Sequence, residues 1–292
     1  MAKQVLQKQD LAFSNRFVTN ALQAHNYSKF SVACLPVCRQ WRTLRKILNT
    51  NVFSSNKLDA NEHLRSQKTN FNLMCNTLFS KDLADPFSDS KDLFVGGTDS
   101  PITILEWAMA EILRQPEIMK KVQLELAEVV GKGKLVEESN IPKLRYLQFI
   151  VKETLRMHPP TPFLIPRKVE QDVKLCNYII PKGSLILVNV WAIGRDPTFW
   201  KDPLVFKPDR FQSLEVDVRG QDFELIPFGA GRRICPGLPL AMRLVQIMLG
   251  SLLNSFNWKL EGDIEPKDLD MEETFSFISS KAHPLRVIPS PF

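Results

Sequence analysis

Residues 228–237 read FGAGRRICPG, a glycine-rich loop with one cysteine that runs directly into an apolar segment with helical spacing. Backbone N–H groups and the positive end of the helix dipole can stabilise a thiolate on Cys235 at that point. Such a sulfur is a good axial ligand for haem iron, and Gly231 and Gly237 permit the turn and the close approach of a flat macrocycle. The alternative is an ordinary buried cysteine, which the coincidence of five fixed positions disfavours.

Composition narrows the class of protein. The chain has 292 residues, 44% of them hydrophobic and 24% charged, which is enough apolar material for a sizeable core. The 38 basic and 32 acidic residues give a net charge of +6 without a run of like charge, so no nucleic-acid partner is expected. Five cysteines without CxxC spacing argue against a disulfide framework and against a zinc cage.

Periodicity predicts a mainly helical chain. Helices are expected in residues 1–24, from Trp41, from Ile102 and from Pro116, and again in 142–157 and after the cysteine loop. Between residues 167 and 192 the period changes to two, which predicts short strands. The expected fold class is therefore mainly α, an α+β arrangement with a minor β-sheet. The longest apolar stretch, near residues 185–193, is shorter than the roughly 20 residues of a membrane span, and the start has no signal peptide or anchor, so the chain is expected to be soluble.

The cysteine loop resembles the FxxGxRxCxG haem-binding signature of the cytochromes P450. Two further segments fit that family: ETLR at residues 153–156 resembles its ExxR pair, and PDRF at 208–211 resembles its PERF-type segment. The resemblance implies that Arg210 completes a buried structural triad with Glu153 and Arg156. It implies a cytochrome P450 fold that holds haem b (iron protoporphyrin IX), with Cys235 as the iron ligand.

The same resemblance assigns residues to the edges of the haem. Trp41 and Arg45 match the family's WxxxR helix, whose i, i+4 spacing puts an indole N–H and a guanidinium on one face toward a propionate. Arg167 falls where many members place another propionate-binding arginine, and Arg233 in the cysteine loop can pair with a propionate. Phe228 is implied to shield the sulfur.

Residues 96–100, GGTDS, resemble the oxygen-activation motif on the family's distal helix. Small residues at Gly96 and Gly97 would let dioxygen lie against the helix, and Asp99 with Ser100 would relay protons to the distal oxygen. Serine replaces the usual threonine, and Pro101 follows it. Because proline removes a helical N–H and disfavours α geometry at the residue before it, proton delivery is expected to be impaired.

The resemblance covers the chain as one partial domain, residues 1–292, in two blocks of about 1–90 and 91–292. Only 51 positions separate Arg45 from Gly96, whereas relatives place several helices there. An internal deletion near residue 90 is therefore expected, together with loss of the N-terminal anchor.

The implied activity is monooxygenation of a small hydrophobic substrate with O2. The wording of several segments is similar to plant A-type members that include geraniol hydroxylases, which suggests a terpenoid or phenolic substrate of plant secondary metabolism. The implied partner is NADPH-cytochrome P450 reductase, with Arg232 and Lys120 or Lys121 as candidate docking residues. Relatives sit on the cytosolic face of the endoplasmic reticulum membrane. The alternative hypothesis is a non-catalytic haem-binding remnant or an unstable truncated product, which Pro101 and the short 45–96 interval favour.

Overall fold

The computed structural model describes residues 1–18, 31–60, 91–262, 264–274 and 276–292, apart from the side chains of Ala60 and of residues 91–98. Internal contacts divide the chain into two compact units. The first unit contains Met1–Leu58, Thr161–Lys201 and Val216–Pro239, and the second contains Asp59–Pro160, Asp202–Glu215 and Leu240–Phe292. The expected single partial domain stays a prediction. Gly96 and Gly97 have described backbone only, and Cys75, His25 and His63 lie outside the described residues.

The described part of the chain is rich in helix. Its α-helices are α1 (Arg39–Ile47), α2 (Ser55–Ala60), α3 (Lys91–Arg114), α4 (Pro116–Val129), α5 (Arg145–Met157), α6 (Val190–Ile193) and α7 (Leu238–Ser255). Its strands are β1 (Asn15–Arg16), β2 (Arg167–Lys168), β3 (Val173–Leu175), β4 (Tyr178–Ile180), β5 (Leu185–Ile186), β6 (Phe256–Leu260), β7 (Glu273–Thr274), β8 (Ser280–Lys281) and β9 (Val287–Pro291). This balance of long helices and short strands confirms the expected fold class.

The first unit is built around a small antiparallel sheet. Strands β1, β2 and β5 pair in the order β1-β2-β5, and β3 and β4 form a hairpin beside them in sequence. Its hydrophobic core contains Val5, Leu6, Phe13, Val169, Val173, Leu175, Val188, Val190, Ile226 and Ala230. The core therefore joins the N-terminal segment, the strands and the residues that enter the cysteine loop.

The N-terminal segment is not the long helix that periodicity predicts. The structure has a π-helical turn at Gln4–Lys8, and residues Asn15–Arg16 pair with β2 as a strand. Val5, Leu6 and Phe13 are all buried in the sheet-based core. Tertiary packing on strands that are distant in sequence thus overrides the local helical pattern, which sequence reasoning could not see.

Gly231 lies close to the backbone of the N-terminal turn. Its φ is +67°, and a Cβ atom there would clash with the carbonyl oxygen of Leu6 in the N-terminal turn. Gly229, two residues earlier, also has a positive φ of +72°, but a Cβ atom there would meet only the Leu164 side chain at 3.5 Å. Glycine is thus required at both positions by conformation, and at Gly231 by contact as well.

The second unit packs α3, α4, α5 and α7 around buried side chains such as Trp107, Ile112, Leu126, Leu147, Ile150 and Leu253. Helix α4 begins on Pro116, as the sequence predicts, because proline at the first turn has no N–H to satisfy. Helix α3 runs through Pro101 without a break in its assignment. The C-terminal residues form two strand pairs, β6 with β9 and β7 with β8.

A buried ion-pair network joins α5 to the segment that contains Arg210. Glu153 accepts two hydrogen bonds from Arg156 at 2.8 Å each and one from Arg210 Nε at 3.0 Å. Both arginines also donate to the carbonyl of Val205. The Glu153 and Arg156 side chains are fully buried, and that of Arg210 is 6% exposed. The implied triad of Glu153, Arg156 and Arg210 is therefore confirmed as a geometric fact.

Helix α7 is the one helix of the described residues that is long and apolar enough to cross a membrane, judged only by length and composition. The sequence analysis expected no segment of that length, because the apolar stretch near residues 185–193 is shorter; in the structure it forms the short elements β5 and α6. More than half of α7 is buried inside the protein, as in the core helix of many globular proteins, so its composition is weak evidence for a span.

Replacement of Glu153 by Gln is expected to destabilise the chain by about 3–5 kcal/mol, because it removes the buried carboxylate that pairs with both guanidinium groups. The matched control is Glu265→Gln, which removes an exposed ion pair with Lys267 and should change stability by less than about 1 kcal/mol. Denaturant unfolding of the full chain measures both. Equal losses in the two variants would contradict the structural role of the network.

Replacement of Gly231 by Ala is expected to cost about 3 kcal/mol or more, because left-handed strain adds to a clash with the Leu6 carbonyl. Gly229→Ala carries the same conformational strain without a backbone clash and should cost about 1–2 kcal/mol. The same unfolding measurement applies. A Gly231→Ala chain as stable as the Gly229→Ala chain would show that the N-terminal turn does not pack on the cysteine loop.

Candidate functional site

The cysteine loop closes on itself before α7 begins. The Cys235 N–H donates to the carbonyl oxygen of Phe228 at 3.0 Å, and a single 3₁₀ turn spans Gly231–Arg233. The backbone N–H groups of Gly237 and Leu238 lie near the sulfur of Cys235 and lower the pKa of its thiol. The first N–H groups of α7 therefore lie at the sulfur, where the sequence predicts them.

The groups around the Cys235 thiol shift its pKa in opposite directions. Desolvation by the surrounding protein raises its pKa, whereas the N–H groups of Gly237 and Leu238 and the nearby charge of Arg45 lower it. The residue is nevertheless accessible at the surface of the described chain. Burial outweighs the stabilising groups in the protein alone, so a positively charged ligand such as a metal ion is what would favour the thiolate form.

Helix α1 places Trp41 and Arg45 against the cysteine loop. The Arg45 guanidinium donates to the carbonyl of Ile234, the residue that precedes the cysteine. The guanidinium carbon of Arg233 lies 4.5 Å from the centre of the Trp41 ring, and the indole N–H donates to the Val32 carbonyl at 3.0 Å. The structure thus brings Trp41, Arg45, Arg233 and Cys235 together.

Strand β2 adds Arg167, and its partner strand adds an arginine that sequence reasoning missed. Register pairs Arg167 of β2 with Arg16 of β1. Arg167 is 3% exposed and donates to the carbonyl of Phe13, while Arg16 donates to the carbonyl of Ile165 at 2.7 Å. Sequence analysis did not identify Arg16 as a site residue because it predicted a helix in residues 1–24. The one sequence feature that could have pointed to Arg16 is its position after Phe13, where the apolar pattern ends.

The four arginines, 16, 45, 167 and 233, form what we call the arginine cluster, and their charges oppose one another. Burial, followed by the charges of Arg167 and Arg233, lowers the pKa of Arg16 to about 9. Burial also lowers the pKa of Arg167 to about 10, and burial with the neighbouring arginines lowers that of Arg233 to about 10. Like charges brought together away from water produce such shifts unless an anion is present.

The described residues supply no such anion in direct contact. No carboxylate among them forms a salt bridge with the arginine cluster, and Asp10, which raises the pKa of Arg167, pairs instead with Arg232. The Nε atoms of Arg16 and Arg167 are buried without a hydrogen-bond acceptor in the described part of the chain. The donors are therefore suited to a group that carries two carboxylates, and haem, with its two propionates, fits them.

The residues of the predicted oxygen-activation motif lie on α3, in the second unit. Asp99 is exposed and Ser100 is half-buried. Gly97 lies on the same helix, with backbone only described. Phe228 is half-buried at the start of the cysteine loop. Among the candidate docking residues, Arg232 pairs with Asp10 and Lys121 pairs with Asp209.

Comparison with known proteins gives one consistent result. The sequence model of the family described as Cytochrome P450 matches residues 88–285. The chain is 48% identical to a geraniol 8-hydroxylase of Catharanthus roseus, over 99% of this chain and 83% of that protein. It is 46% identical to a geraniol 8-hydroxylase of Swertia mussotii, over 100% of this chain and 83% of that protein. Because both relatives are named as hydroxylases, the comparison gives no support to the hypothesis of a non-catalytic remnant.

The fold has a match among solved structures. A zebrafish cytochrome P450, in a structure with progesterone, aligns with a TM-score of 0.76 over 99% of this chain and 92% of that one, at 20% sequence identity. At that identity the likeness shows the fold alone.

The lengths of the alignments confirm that an internal segment is missing. The alignment with the Catharanthus roseus protein is 410 positions long and includes 99% of a chain of only 292 residues. At least 118 of its positions therefore lack a residue of this chain, and they fall inside the aligned sequence. The shared motifs, the matched family model and the near-complete coverage lead to one conclusion: the chain belongs to the cytochromes P450, a family of haem-thiolate monooxygenases.

Proposed function

We propose that this chain binds haem b through Cys235 and inserts one oxygen atom from O2 into a small terpenoid. The observation that carries the proposal is the arginine cluster, in which Arg45 contacts the cysteine loop, Arg233 belongs to it, and no member forms a salt bridge with a described carboxylate. Haem, when bound, supplies the activation of dioxygen. The chain's own residues hold the cofactor and manage protons and substrate.

Cys235 is the proposed iron ligand, and the N–H groups at the start of α7 hold its sulfur in place. Arg45, Arg167 and Arg233, together with Arg16, are the proposed partners of the propionates. Trp41 supports Arg233 by stacking against it at 4.5 Å. Phe228 and Gly237 shape the loop around the sulfur. In this arrangement the two propionates would give the arginine cluster the counter-charges that the described residues do not provide.

Asp99 and Ser100 are the proposed proton relay, and Gly97 the proposed point of close approach for dioxygen. This part of the proposal rests on the motif. Ser100 retains the hydroxyl that a relay needs, although serine is freer at χ1 than the usual threonine. Helix α3 continues through Pro101, which supports a relay carried on that helix.

The proposed substrate is an acyclic monoterpene alcohol such as geraniol. Support comes from two relatives named geraniol 8-hydroxylase that share 46% and 48% of aligned residues with this chain. A small phenolic compound is the second candidate. The proposed electron donor is NADPH-cytochrome P450 reductase, and the proposed location is the cytosolic face of the endoplasmic reticulum membrane, both by analogy with the family. The candidate docking residue Lys120 lies on α4 next to Lys121, and Lys121 forms an ion pair with Asp209.

Turnover of the full chain tests the proposed function. With haem, a plant NADPH-dependent reductase and geraniol, we expect an oxygenated product whose formation requires NADPH and O2. Cys235→Ala should abolish both the thiolate-type absorption and the product, because the iron loses its ligand.

Cys176→Ala is the matched control, since Cys176 is exposed and lies in the β3–β4 turn of the same unit. It should keep both the thiolate-type absorption and the product. A haem-loaded chain that yields no oxygenated product from geraniol or from a small phenol would contradict the proposal.

The role of Arg16 gives a separate prediction. Arg16→Met should lower the affinity for haem about tenfold, because a charged hydrogen bond to a propionate is lost. The control is Arg219→Met, which removes an exposed arginine that pairs with Asp217. Titration of haem into the haem-free chain, followed by absorbance, measures both affinities. If Arg16→Met bound haem as tightly as Arg219→Met, Arg16 would have no contact with the cofactor.

A further inference from the structure

A buried charged cluster in the second unit uses none of the residues proposed to hold haem or relay protons. His158 is the C-cap residue of α5 and is 7% exposed. Its Nδ1 lies 2.8 Å from an oxygen of Glu273, and its Nε2 lies 2.9 Å from an oxygen of Glu111. One imidazole ring thus stands between the buried carboxylate of Glu111 and the half-buried carboxylate of Glu273.

An aromatic contact fixes the plane of that ring. The His158 and Trp107 rings stack with centroids 4.0 Å apart and an interplanar angle of 4°. The ammonium group of Lys281 lies 5.1 Å from the centre of the same Trp107 ring. We refer to His158, Glu111, Glu273, Trp107 and Lys281 as the His158 clamp. It connects α3, the end of α5 and the β7–β8 hairpin.

The number of protons in the clamp follows from the hydrogen-bond geometry. A carboxylate oxygen only accepts, so each ring nitrogen must face it with a hydrogen. A neutral imidazole has one N–H, and the second contact therefore needs one more proton, either on the ring or on one of the glutamates. Without that proton a nitrogen lone pair would face a carboxylate oxygen inside the protein, which is repulsive.

The other charges around His158 do not remove this requirement. On α3, Arg114 lies 3.8 Å from Glu111, but its side chain is 38% exposed. On β8, Lys281 donates to the carbonyl of Asp270, and burial lowers its pKa while Asp270, Glu106 and Glu111 raise it. The extra proton is therefore still needed if both glutamates are to keep their contacts with the ring.

We propose that His158 is a positioning residue whose clamp retains one exchangeable proton and fastens the β7–β8 hairpin to α3 while that proton is bound. Loss of the proton at alkaline pH breaks one of the two carboxylate contacts and loosens the hairpin. The hairpin is therefore attached in a pH-dependent manner. The proposal does not depend on haem binding or on the proposed function.

Two backbone amides report the stability of the hairpin: one bonds to the segment after α5 and the other bonds across the hairpin itself. The Ser279 N–H donates to the Pro160 carbonyl and the Ala282 N–H donates to the Glu272 carbonyl, both at 2.8 Å. Hydrogen exchange of the purified full chain would be followed at these amides at about pH 6 and about pH 9. These values lie on either side of the ordinary pKa of a histidine side chain. Rates are corrected for the intrinsic effect of pH on exchange. Val122 in α4 serves as an internal reference.

In the natural sequence the protection of the Ser279 and Ala282 amides should fall about tenfold between the lower and the higher pH, as expected for loss of one charged hydrogen bond. Protection at Val122 should change less. Glu273→Gln should keep the hairpin attached and remove the pH effect, because the glutamine amide can donate to a neutral ring nitrogen. His283→Gln is the matched control, since His283 pairs with Asp270 but is exposed, and it should retain the tenfold effect.

Two results would overturn the proposal. One is equal protection of the hairpin amides at the two pH values in the natural sequence, which can be measured whether or not any variant folds. The other is a pH effect in Glu273→Gln as large as in the natural sequence. Disappearance of the effect in His283→Gln would likewise assign it to the exposed pair and reject His158.

Discussion

The arrangement of the first unit depends on one electrostatic constraint: four arginine side chains are gathered in the unit that contains Cys235, and no described carboxylate forms a salt bridge with them. Their lowered pKa values and the two orphaned Nε atoms express the same fact. Burying like charges costs free energy that folding must offset elsewhere, unless a bound anion neutralises them. A cofactor with two carboxylates and a metal ion for the thiol resolves both imbalances at once.

Much of this site could be predicted from the sequence because its residues lie in short motifs with fixed spacing. Cys235 and Arg233 share one loop, and Trp41 and Arg45 share one helical face. Arg16 could not be found in this way, because its place depends on pairing between β1 and β2, which are 151 positions apart in the register that joins Arg16 to Arg167. A local helical pattern gave the wrong structure for that segment, and only the tertiary core corrects it.

The rest of the fold shows the same contrast: features set by neighbouring residues could be predicted, and features set by contacts between distant residues could not. The proline at the start of α4 and the spacing within α5 are local signals, and the structure confirms both helices. Residues 184–192 were expected to form a short strand, whereas the structure has β5 followed by α6 there. The His158 clamp could not be predicted either, because the neighbouring ETLR motif gives His158 no role and its contacts are with Glu111 and Glu273, on two other elements. The missing internal segment, by contrast, was evident from the short distance between two family motifs.

The central claim is that the arginine cluster is the receptor for the two carboxylates of haem. The most direct test compares haem with its dimethyl ester, in which both propionates are neutral, in titrations of the haem-free chain. The account predicts a thiolate-type absorption spectrum with haem and an affinity at least about a hundredfold lower for the ester, as expected for the loss of two charged hydrogen bonds. Equal affinities for the two compounds would contradict it.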